Sequence, residues 1–356
     1  MKKNTIIGAG FSAAMTQIFL NDKAKIIGAL NSKITTNNNF LRRKKLETNK
    51  FFSKKAFSYG NLNYKIKKTN LHDRIILGGN TNIWGGHIYL KNISNKIKKI
   101  LKKNKIIFKK LSLEETGSMS NEKNIVQLQS TKNRILDIED IPIKIQNGFI
   151  KNMQSQNGEL YIDILTSEKK NKTIKVNKLF LCIGTIQIID LLYRSKFLKD
   201  SDIIELSEFD HKFEIKKLNS TLNKKSIVIR YHISRALGHL FGIQYYSKFL
   251  KIFKCVPFFI DQNFYFRKYK FKFVVKKNTL HELTNHNNKN NNFGSSIHYC
   301  NMKINNVSLR KFLKKINPNI HGFGMSFVNQ YKPGPISNDI INDIYSELNK
   351  LKLLKN

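Results

Sequence analysis

A glycine-rich turn near the beginning of the chain has the residue types and spacing that bind a dinucleotide. A short apolar run is followed by Gly8, Gly10, Phe11, Ser12 and Ala13. In this G-x-G-x-x-A spacing, Gly8 permits a tight turn, Gly10 lets backbone N–H groups approach a pyrophosphate, and Ala13 lets a helix lie close to a strand. Phe11 and Ser12 then belong to a helix N-terminus whose positive dipole end faces the phosphates. The alternative is an ordinary glycine-containing turn of any α/β protein.

A second glycine island lies at residues 71–90 and differs sharply from the polar, basic sequence before it. Its glycines would let the backbone pass close to a flat, bulky cofactor. Trp84 is the only tryptophan of the chain, and apolar residues flank the glycines, which argues against full solvent exposure. A glycine-rich surface loop is the alternative. The residues predicted to bind the cofactor here are Gly78, Gly79, Asn82, Trp84, Gly85 and Gly86.

The elements that would position these residues follow from hydrophobic periodicity. Residues 1–31 predict a strand, a helix and a second strand, and residues 94–112 predict an amphipathic helix followed by a strand. Residues 32–70 and 113–135 are polar without a clear period, and we expect loops there.

The second half of the chain is predicted to be rich in strands. Successive strands are expected from residue 136 onward, and the last of them ends at Gly184, before a helix. Residues 207–275 alternate apolar and polar side chains, which favours an antiparallel sheet with one wet face. Residues 284–292 are low-complexity and predict an exposed loop, and a final helix is expected near 338–353.

The charge of the chain is strongly basic. Its net charge is +40 over 356 residues, from 64 Lys and Arg against 24 Asp and Glu. A polyanion partner would explain this balance, but Lys, Asn and Ile are enriched throughout, as an AT-rich genome would produce. We therefore expect no specific nucleic-acid site, and the sequence shows no RNP motif, zinc finger or helix-turn-helix signature.

The three cysteines, Cys182, Cys255 and Cys300, form no C-x-x-C pair, so no metal site is predicted. An odd number of thiols in a long chain fits a reducing cytoplasm, which is the expected compartment. The positive charge allows a weak contact with an anionic membrane surface.

Four separated segments together resemble the glucose–methanol–choline (GMC) oxidoreductase family of FAD enzymes. The glycine island is similar to the flavin loop of that family, and the DH of SEFDHKF is similar to the start of its substrate domain. The resemblance covers nearly the whole chain. The four segments are residues 8–13, residues 74–86, LFLCIGTIQIIDLLYRS at 179–195, and GSSIHYCNM at 294–302 with PGPISNDIIND at 333–343.

The resemblance implies an α/β fold with two domains. A Rossmann-like FAD-binding domain (FAD/NAD(P)-binding) would comprise residues 1–206 plus 293–356, and an antiparallel-sheet substrate or cap domain would comprise 207–292. FAD is the implied cofactor, with Gly184 among its contacts. The implied substrate is a small-molecule alcohol or sugar, and the electron acceptor is unknown.

The same resemblance implies two catalytic residues. His298 matches the family's histidine, which takes the hydroxyl proton when an alcohol is oxidised, as a neutral imidazole does near neutral pH. Asn338 matches the position that hydrogen-bonds the substrate oxygen, with Asn342 nearby. A routine histidine hydrogen bond and a helix N-cap are the respective alternatives. His321 and His239 are the next candidates for the base.

The chain also departs from the family pattern. Ala29, Leu30 and Asn31 stand where an acidic residue usually contacts the ribose, and residues 324–326 lack the family's carboxylate. The sequence therefore leaves three functions open. They are an FAD-dependent oxidoreductase acting on CH–OH donors, an NAD-linked dehydrogenase, and a non-catalytic flavin-fold protein that binds anionic glycan or nucleic acid.

Overall fold

The computed structural model of the protein describes residues 3–21, 24–28, 63–65, 87–110, 125–131, 136, 145–166, 168, 170–216, 259–283, 298–328 and 336–354. Its helices are α1 (Phe11–Leu20), α2 (Asn95–Lys103), α3 (Thr185–Arg194), α4 (Leu309–Ile316) and α5 (Ile336–Lys350), with 3₁₀ turns at Leu90–Asn92 and Met325–Phe327. The strands are β1 (Lys3–Ile7), β2 (Ala24–Ile27), β3 (Asn63–Lys65), β4 (His87–Tyr89), β5 (Ile107–Lys110), β6 (Ile125–Gln129), β7 (Ile145–Gln146), β8 (Gly148–Gln156), β9 (Glu159–Thr166), β10 (Asn171–Leu181), β11 (Ile203–Lys216), β12 (Phe259–Lys276), β13 (Thr279–Glu282), β14 (His298–Ile304), β15 (Val307–Ser308) and β16 (Ile320–Gly322).

A parallel sheet forms the centre of the molecule. Its strand order is β7-β2-β1-β10-β16, and each neighbouring pair runs parallel. On the edge away from β1, strand β10 pairs with two different strands along its length. Its first half pairs antiparallel with β9, which pairs with β8, whereas its second half pairs parallel with β16. A β-α-β opening feeding a parallel sheet is the Rossmann-like arrangement predicted from the sequence.

Alternating side chains of the parallel strands face two different layers. Ile6 of β1 and Phe180 of β10 belong to a core shared with α1, α2 and α5. Ile7 and Leu181, the next residues along the same strands, belong to a core shared with α3, α4 and the second sheet. Because both faces are covered, these strands are apolar on both sides, as parallel sheets generally are.

The second sheet has the order β15-β14-β11-β12-β13-β3, and a third sheet has the order β4-β6-β5. The long pair β11 and β12 is antiparallel, as the alternation over 207–275 predicted. Strand β11 begins at Ile203 and therefore runs through the predicted boundary between residues 206 and 207. The division into two domains stays a prediction.

Several predicted elements are confirmed and some are wrong. The β-α-β opening, the helix and strand within 94–112, and the strand and helix around Gly184 are all present. The loops expected at 32–70 and 113–135 each contain a strand, β3 and β6. Strand β3 is short and lies in polar sequence, where sheet neighbours decide the structure. Strand β6 is the alternating run IVQLQ, a local strand pattern within an otherwise polar stretch. The final helix covers Ile336–Lys350, slightly earlier than expected.

None of the helices within the described part of the chain is both long enough and apolar enough to cross a membrane.

Glycines allow the carboxyl ends of β1, β2 and β10 to approach closely. Gly8 has a φ of +133°, and a Cβ there would lie 2.3 Å from the carbonyl oxygen of Cys182. A Cβ on Gly28 would lie 2.7 Å from the carbonyl carbon of Gly8. Neither neighbour is a side chain that could rotate away, so a residue larger than glycine would separate the strands.

We expect the substitution Gly28→Ala to destabilise the protein by about 3 kcal/mol, because overpacking against backbone displaces the strands themselves. Gly158→Ala is the control. Gly158 has a φ of +76° and no neighbour within 4 Å of a Cβ, so it should cost about 1 kcal/mol from backbone strain alone. Urea unfolding, followed by circular dichroism, measures the free energy of unfolding of both variants. Equal losses in the two variants would contradict the close strand approach.

Candidate dinucleotide-binding site

Three chain segments converge where β1, β10 and β16 end. Since these strands are parallel, the residues that follow them leave the sheet at one edge. Cys182 N–H donates to the Ile7 carbonyl at 2.8 Å, and Phe323 N–H donates to the Leu181 carbonyl at 2.9 Å. The three segments, residues 8–12, 182–185 and 322–327, are therefore held side by side at the edge where α/β proteins bind ligands.

The first segment places the N-terminus of α1 at this edge. Gly10 is the N-cap residue, with φ −113° and ψ −169°, and Phe11, Ser12 and Ala13 begin the helix. Gly10 has no side chain to cap the first turn, which contains no acidic residue. Ala13 is 0% exposed, so the helix lies directly on the sheet as the fingerprint predicted. Such a helix start offers its N–H groups to an anion.

The second segment repeats this arrangement at α3. Gly184 is the N-cap residue of α3 and lies between a buried strand and the helix, as expected. Thr185, the first helical residue, is buried, and its Oγ1 shares a 2.8 Å hydrogen bond with Ser326 Oγ. This contact joins the second segment to the third through two hydroxyl groups.

The third segment approaches the first through Gly324. This glycine has a φ of +119°, and a Cβ there would lie 3.0 Å from Ser12 Oγ. Glycine at 324 therefore leaves the space above the α1 N-terminus to backbone and to one small hydroxyl. Backbone and small side chains at a helix N-terminus are what the close approach of a pyrophosphate to backbone N–H groups requires.

A buried thiol lies beneath these segments. Cys182 Sγ is 3.5 Å from Thr16 Oγ1, whose hydroxyl also donates to the Ser12 carbonyl at 2.7 Å. Burial raises the pKa of Cys182 to about 12, against a smaller opposing effect of the Thr16 hydrogen bond. The thiol therefore stays protonated at neutral pH and acts as packing, not as a nucleophile.

The structure places the remaining predicted residues as follows. The cofactor contacts predicted between Gly78 and Gly86 lie outside the described residues. The backbone of His298 begins β14 and pairs with Phe209 of β11 in the second sheet, and its side chain lies outside the described part. The role of His298 stays a prediction.

Asn338 has a structural contact that the sequence did not indicate. It is 4% exposed, and its amide accepts from Tyr89 N–H at 2.8 Å and donates to the Tyr89 carbonyl at 2.9 Å. The side chain thus ties α5 to the end of β4, as a strand partner would. Its role in holding a substrate oxygen stays a prediction, and the neighbouring Asn342 donates to the carbonyl of Asn92 at 2.9 Å.

An arginine that sequence reasoning missed fixes the third segment. Arg310 of α4 makes a bidentate pair with Asp343 of α5, at 3.0 and 2.8 Å, and donates to the Gly322 carbonyl at 3.2 Å. Its guanidinium also lies over the Phe327 ring, which packs against Gly322 where a Cβ would not fit. Both ends of residues 322–327 are therefore held by one side chain. An Arg in a basic amphipathic helix carries no sequence signal for this role.

Two carboxyl groups of α5, those of Asp343 and Asp339, have raised pKa values. Burial raises the pKa of Asp343, and the Arg310 hydrogen bond opposes that shift. Burial and the neighbouring Asp343 raise the pKa of Asp339 to about 6. A half-buried carboxyl in the first turn of α5 is therefore partly protonated just below neutral pH.

His321, the fallback candidate for a base, is buried in β16. Its ring stacks on Phe180 at a centroid distance of 5.4 Å, and Lys314 Nζ lies 3.0 Å from its Nδ1. Burial, together with the charges of Lys314, Lys178 and Arg310, lowers the pKa of His321 to about 3. Burial and the charge of Lys178 lower the pKa of Lys314 to about 8. The imidazole is therefore neutral at neutral pH and accepts a hydrogen bond from the ammonium group.

Comparisons with known proteins give structural similarity at very low sequence identity. No family profile matches the chain, and no curated protein matches its sequence. A flavoprotein/dehydrogenase from Cytophaga hutchinsonii aligns with 97% of this chain and 75% of its own, at 8% identity and a TM-score of 0.32. Formate oxidase aligns with 70% of this chain and 60% of its own, at 9% identity and a TM-score of 0.38.

A third similar structure is OxyS anhydrotetracycline hydroxylase from Streptomyces rimosus. It aligns with 96% of this chain and 60% of its own, at 6% identity and a TM-score of 0.36. This chain spans less than two thirds of the length of the hydroxylase and of formate oxidase.

We expect His321→Gln to flatten the acid dependence of stability. Below about pH 6.5 the unfolded parent binds a proton on His321, whereas the folded parent does not until about pH 3. Stability of the parent therefore falls as pH drops through this window. Between pH 7 and 5 the variant should lose about 1 to 2 kcal/mol less free energy of unfolding than the parent. Urea titrations at each pH measure this difference.

His321→Phe is the matched variant for the same measurement, because it keeps a ring against Phe180 but has no titrating nitrogen. It should show the same flattening as the Gln variant. If both variants follow the parent's slope, His321 takes up its proton over the same pH range in the folded and the unfolded protein, which contradicts the expectation.

Proposed function

We propose that this protein is an FAD-dependent oxidoreductase that oxidises the CH–OH group of a sugar, polyol or other small alcohol. The observation that carries the proposal is the convergence of three glycine-containing segments at one edge of a parallel sheet, over the uncapped start of α1. The glycine island at Gly78–Gly86, one of the segments that resemble the GMC family, supports FAD over a nicotinamide cofactor, because it has no place in an NAD-linked scheme.

Different residues of the chain would bind the cofactor and hold the site together. The N–H groups at Phe11 and Ser12 would bind the pyrophosphate, since they begin a helix whose N-cap is Gly10. The hydrogen bond between the hydroxyls of Thr185 and Ser326 holds the second and third segments together. A bound flavin would supply the two-electron acceptor for the alcohol.

The proton of the alcohol requires a separate acceptor on the protein. His298 is proposed for this role, because a neutral imidazole accepts a proton at Nδ1 or Nε2 near neutral pH. Asn338 is proposed to orient the substrate oxygen. Its side-chain amide is also hydrogen-bonded to the backbone of Tyr89, which would fix the direction of its second N–H.

We expect Gly10→Val to abolish flavin retention while leaving the protein folded. The backbone at Gly10 is extended, with φ −113° and ψ −169°, which a β-branched residue adopts without strain. The added side chain would instead obstruct the approach of a pyrophosphate to the first turn of α1. The visible absorbance of the purified protein measures flavin retention, and its far-UV circular dichroism shows whether the protein is folded.

Gly10→Ala provides a graded comparison, with a smaller side chain and a smaller expected loss of flavin. A Gly10→Val protein as yellow as the parent would show that the fingerprint does not hold the cofactor. A colourless parent protein would favour the non-catalytic alternative.

We expect His298→Ala to keep the flavin spectrum but to slow anaerobic flavin reduction by an active alcohol about a hundred- to ten-thousand-fold, because loss of a general base typically costs that much. Asn338→Ala should slow reduction less, since it removes one hydrogen bond. Its flavin content has to be measured first, because Asn338 also holds Tyr89. An unchanged rate in the His298 variant would place the base elsewhere.

A further inference from the structure

Exposed lysines are concentrated on α2 and β5, which the proposed cofactor site does not use. Residues 91–110 contain nine lysines and no Asp, Glu or Arg. We call the exposed members of this set the α2–β5 lysine face. They are Lys91, Lys96, Lys99, Lys102, Lys103, Lys105, Lys109 and Lys110.

The packing of α2 forces these lysines outward. Ile97 and Leu101, on one side of the helix, are 2% and 0% exposed within the core beneath the parallel sheet. Ser94 caps the helix by accepting from Ile97 N–H at 3.3 Å, which fixes where the first turn begins. Since the apolar side of α2 is already buried, the helix cannot insert into another apolar medium. Any partner must be attracted by the charge of its other side.

The side chains of this surface favour a diffuse anionic layer over a nucleic acid. Lysine is a point charge without the fork that gives arginine its bidentate grip on phosphates and guanines, and residues 91–110 contain no arginine. Ile107, between Lys105 and Lys109, is 40% exposed. An apolar side chain among lysines suits the boundary between headgroups and acyl chains, whereas single-stranded nucleic acid is held by aromatic stacking.

We propose that the α2–β5 lysine face docks the protein on an anionic lipid bilayer, with α2 parallel to the surface and Ile107 at the headgroup boundary. Each lysine near such a surface strengthens binding about fivefold, and the attraction decays within a Debye length. The docking is therefore peripheral, reversible and weakened by salt. It is independent of whether the protein binds a flavin.

The test compares two variants of the full-length protein that have the same net charge. In the face variant, five exposed lysines of α2 and the following turn become Gln, which preserves helix propensity. In the control variant, five exposed lysines on other elements become Gln. The substitutions are K96Q, K99Q, K102Q, K103Q and K105Q in the first, and K172Q, K199Q, K276Q, K311Q and K315Q in the second.

Binding is measured by co-sedimentation with vesicles of phosphatidylcholine containing phosphatidylserine, and with phosphatidylcholine alone. The face variant should bind the anionic vesicles at least about 100-fold more weakly than the parent, and the control variant about threefold more weakly or less. Ile107→Ser should remove the part of the binding that survives high salt. Vesicles of phosphatidylcholine alone should bind none of the proteins.

Equal losses in the face and control variants would overturn the proposal, because net charge alone would then explain the attraction. Unchanged vesicle binding in the face variant would overturn it as well. If the face variant instead lost binding to a fluorescent DNA or RNA oligonucleotide while vesicle binding stayed at the parent's level, the surface would be a nucleic-acid site. Circular dichroism of both variants confirms that the fold is retained before binding is compared.

Discussion

The carboxyl ends of β1, β2 and β10 can approach one another closely because two positions there, Gly8 and Gly28, carry no side chain. Gly8 lies against the carbonyl of Cys182, and Gly28 lies against the backbone of Gly8. With that spacing, hydrogen bonding continues beyond the strands, from Gly8 N–H to Ile27 and from Gly28 N–H to Gln146, at 2.8 and 3.1 Å. The strands therefore end side by side at one edge of the sheet. The three segments of the proposed cofactor site that lie within the described residues begin at that edge.

Two acidic residues of this basic chain, Asp190 and Asp343, hold elements together from largely buried positions. Asp190 of α3 pairs with Arg194 at 2.9 Å, with both side chains below 10% exposure, and Arg194 also donates to the Ile150 carbonyl. Asp343 and Arg310 play the same part between α4 and α5. Partly buried charges are tolerated because each is paired and hydrogen-bonded. Lysines, by contrast, lie mostly on the surface, where water solvates them.

The sequence predicted the parts of the fold that local patterns determine. The fingerprint at residues 8–13, the amphipathic helix α2 and the strand–Gly184–helix unit all depend on spacing within one turn or one strand, and all three are present. The alternating run IVQLQ of β6 does indicate a strand, although a loop was expected there. Strand β3, by contrast, gains stability from a distant partner, β13. For the same reason, no pattern indicated that Thr185 would meet Ser326 or that Arg310 would hold Gly322. Such contacts join residues far apart in sequence, each of which has an ordinary local environment.

Strand β1 can pair with β10 only late in synthesis, because the two strands lie far apart in the sequence. Thr16 of the opening unit meets Cys182 across a separation of 166 residues. During synthesis, β1 and α1 emerge from the ribosome long before the strand that completes their sheet exists. The backbone edge of β1 that pairs with β10 therefore stays unpaired until β10 has been synthesised, and closing so long a loop slows the pairing. Chaperone dependence and aggregation of truncated chains are the expected signs of that delay.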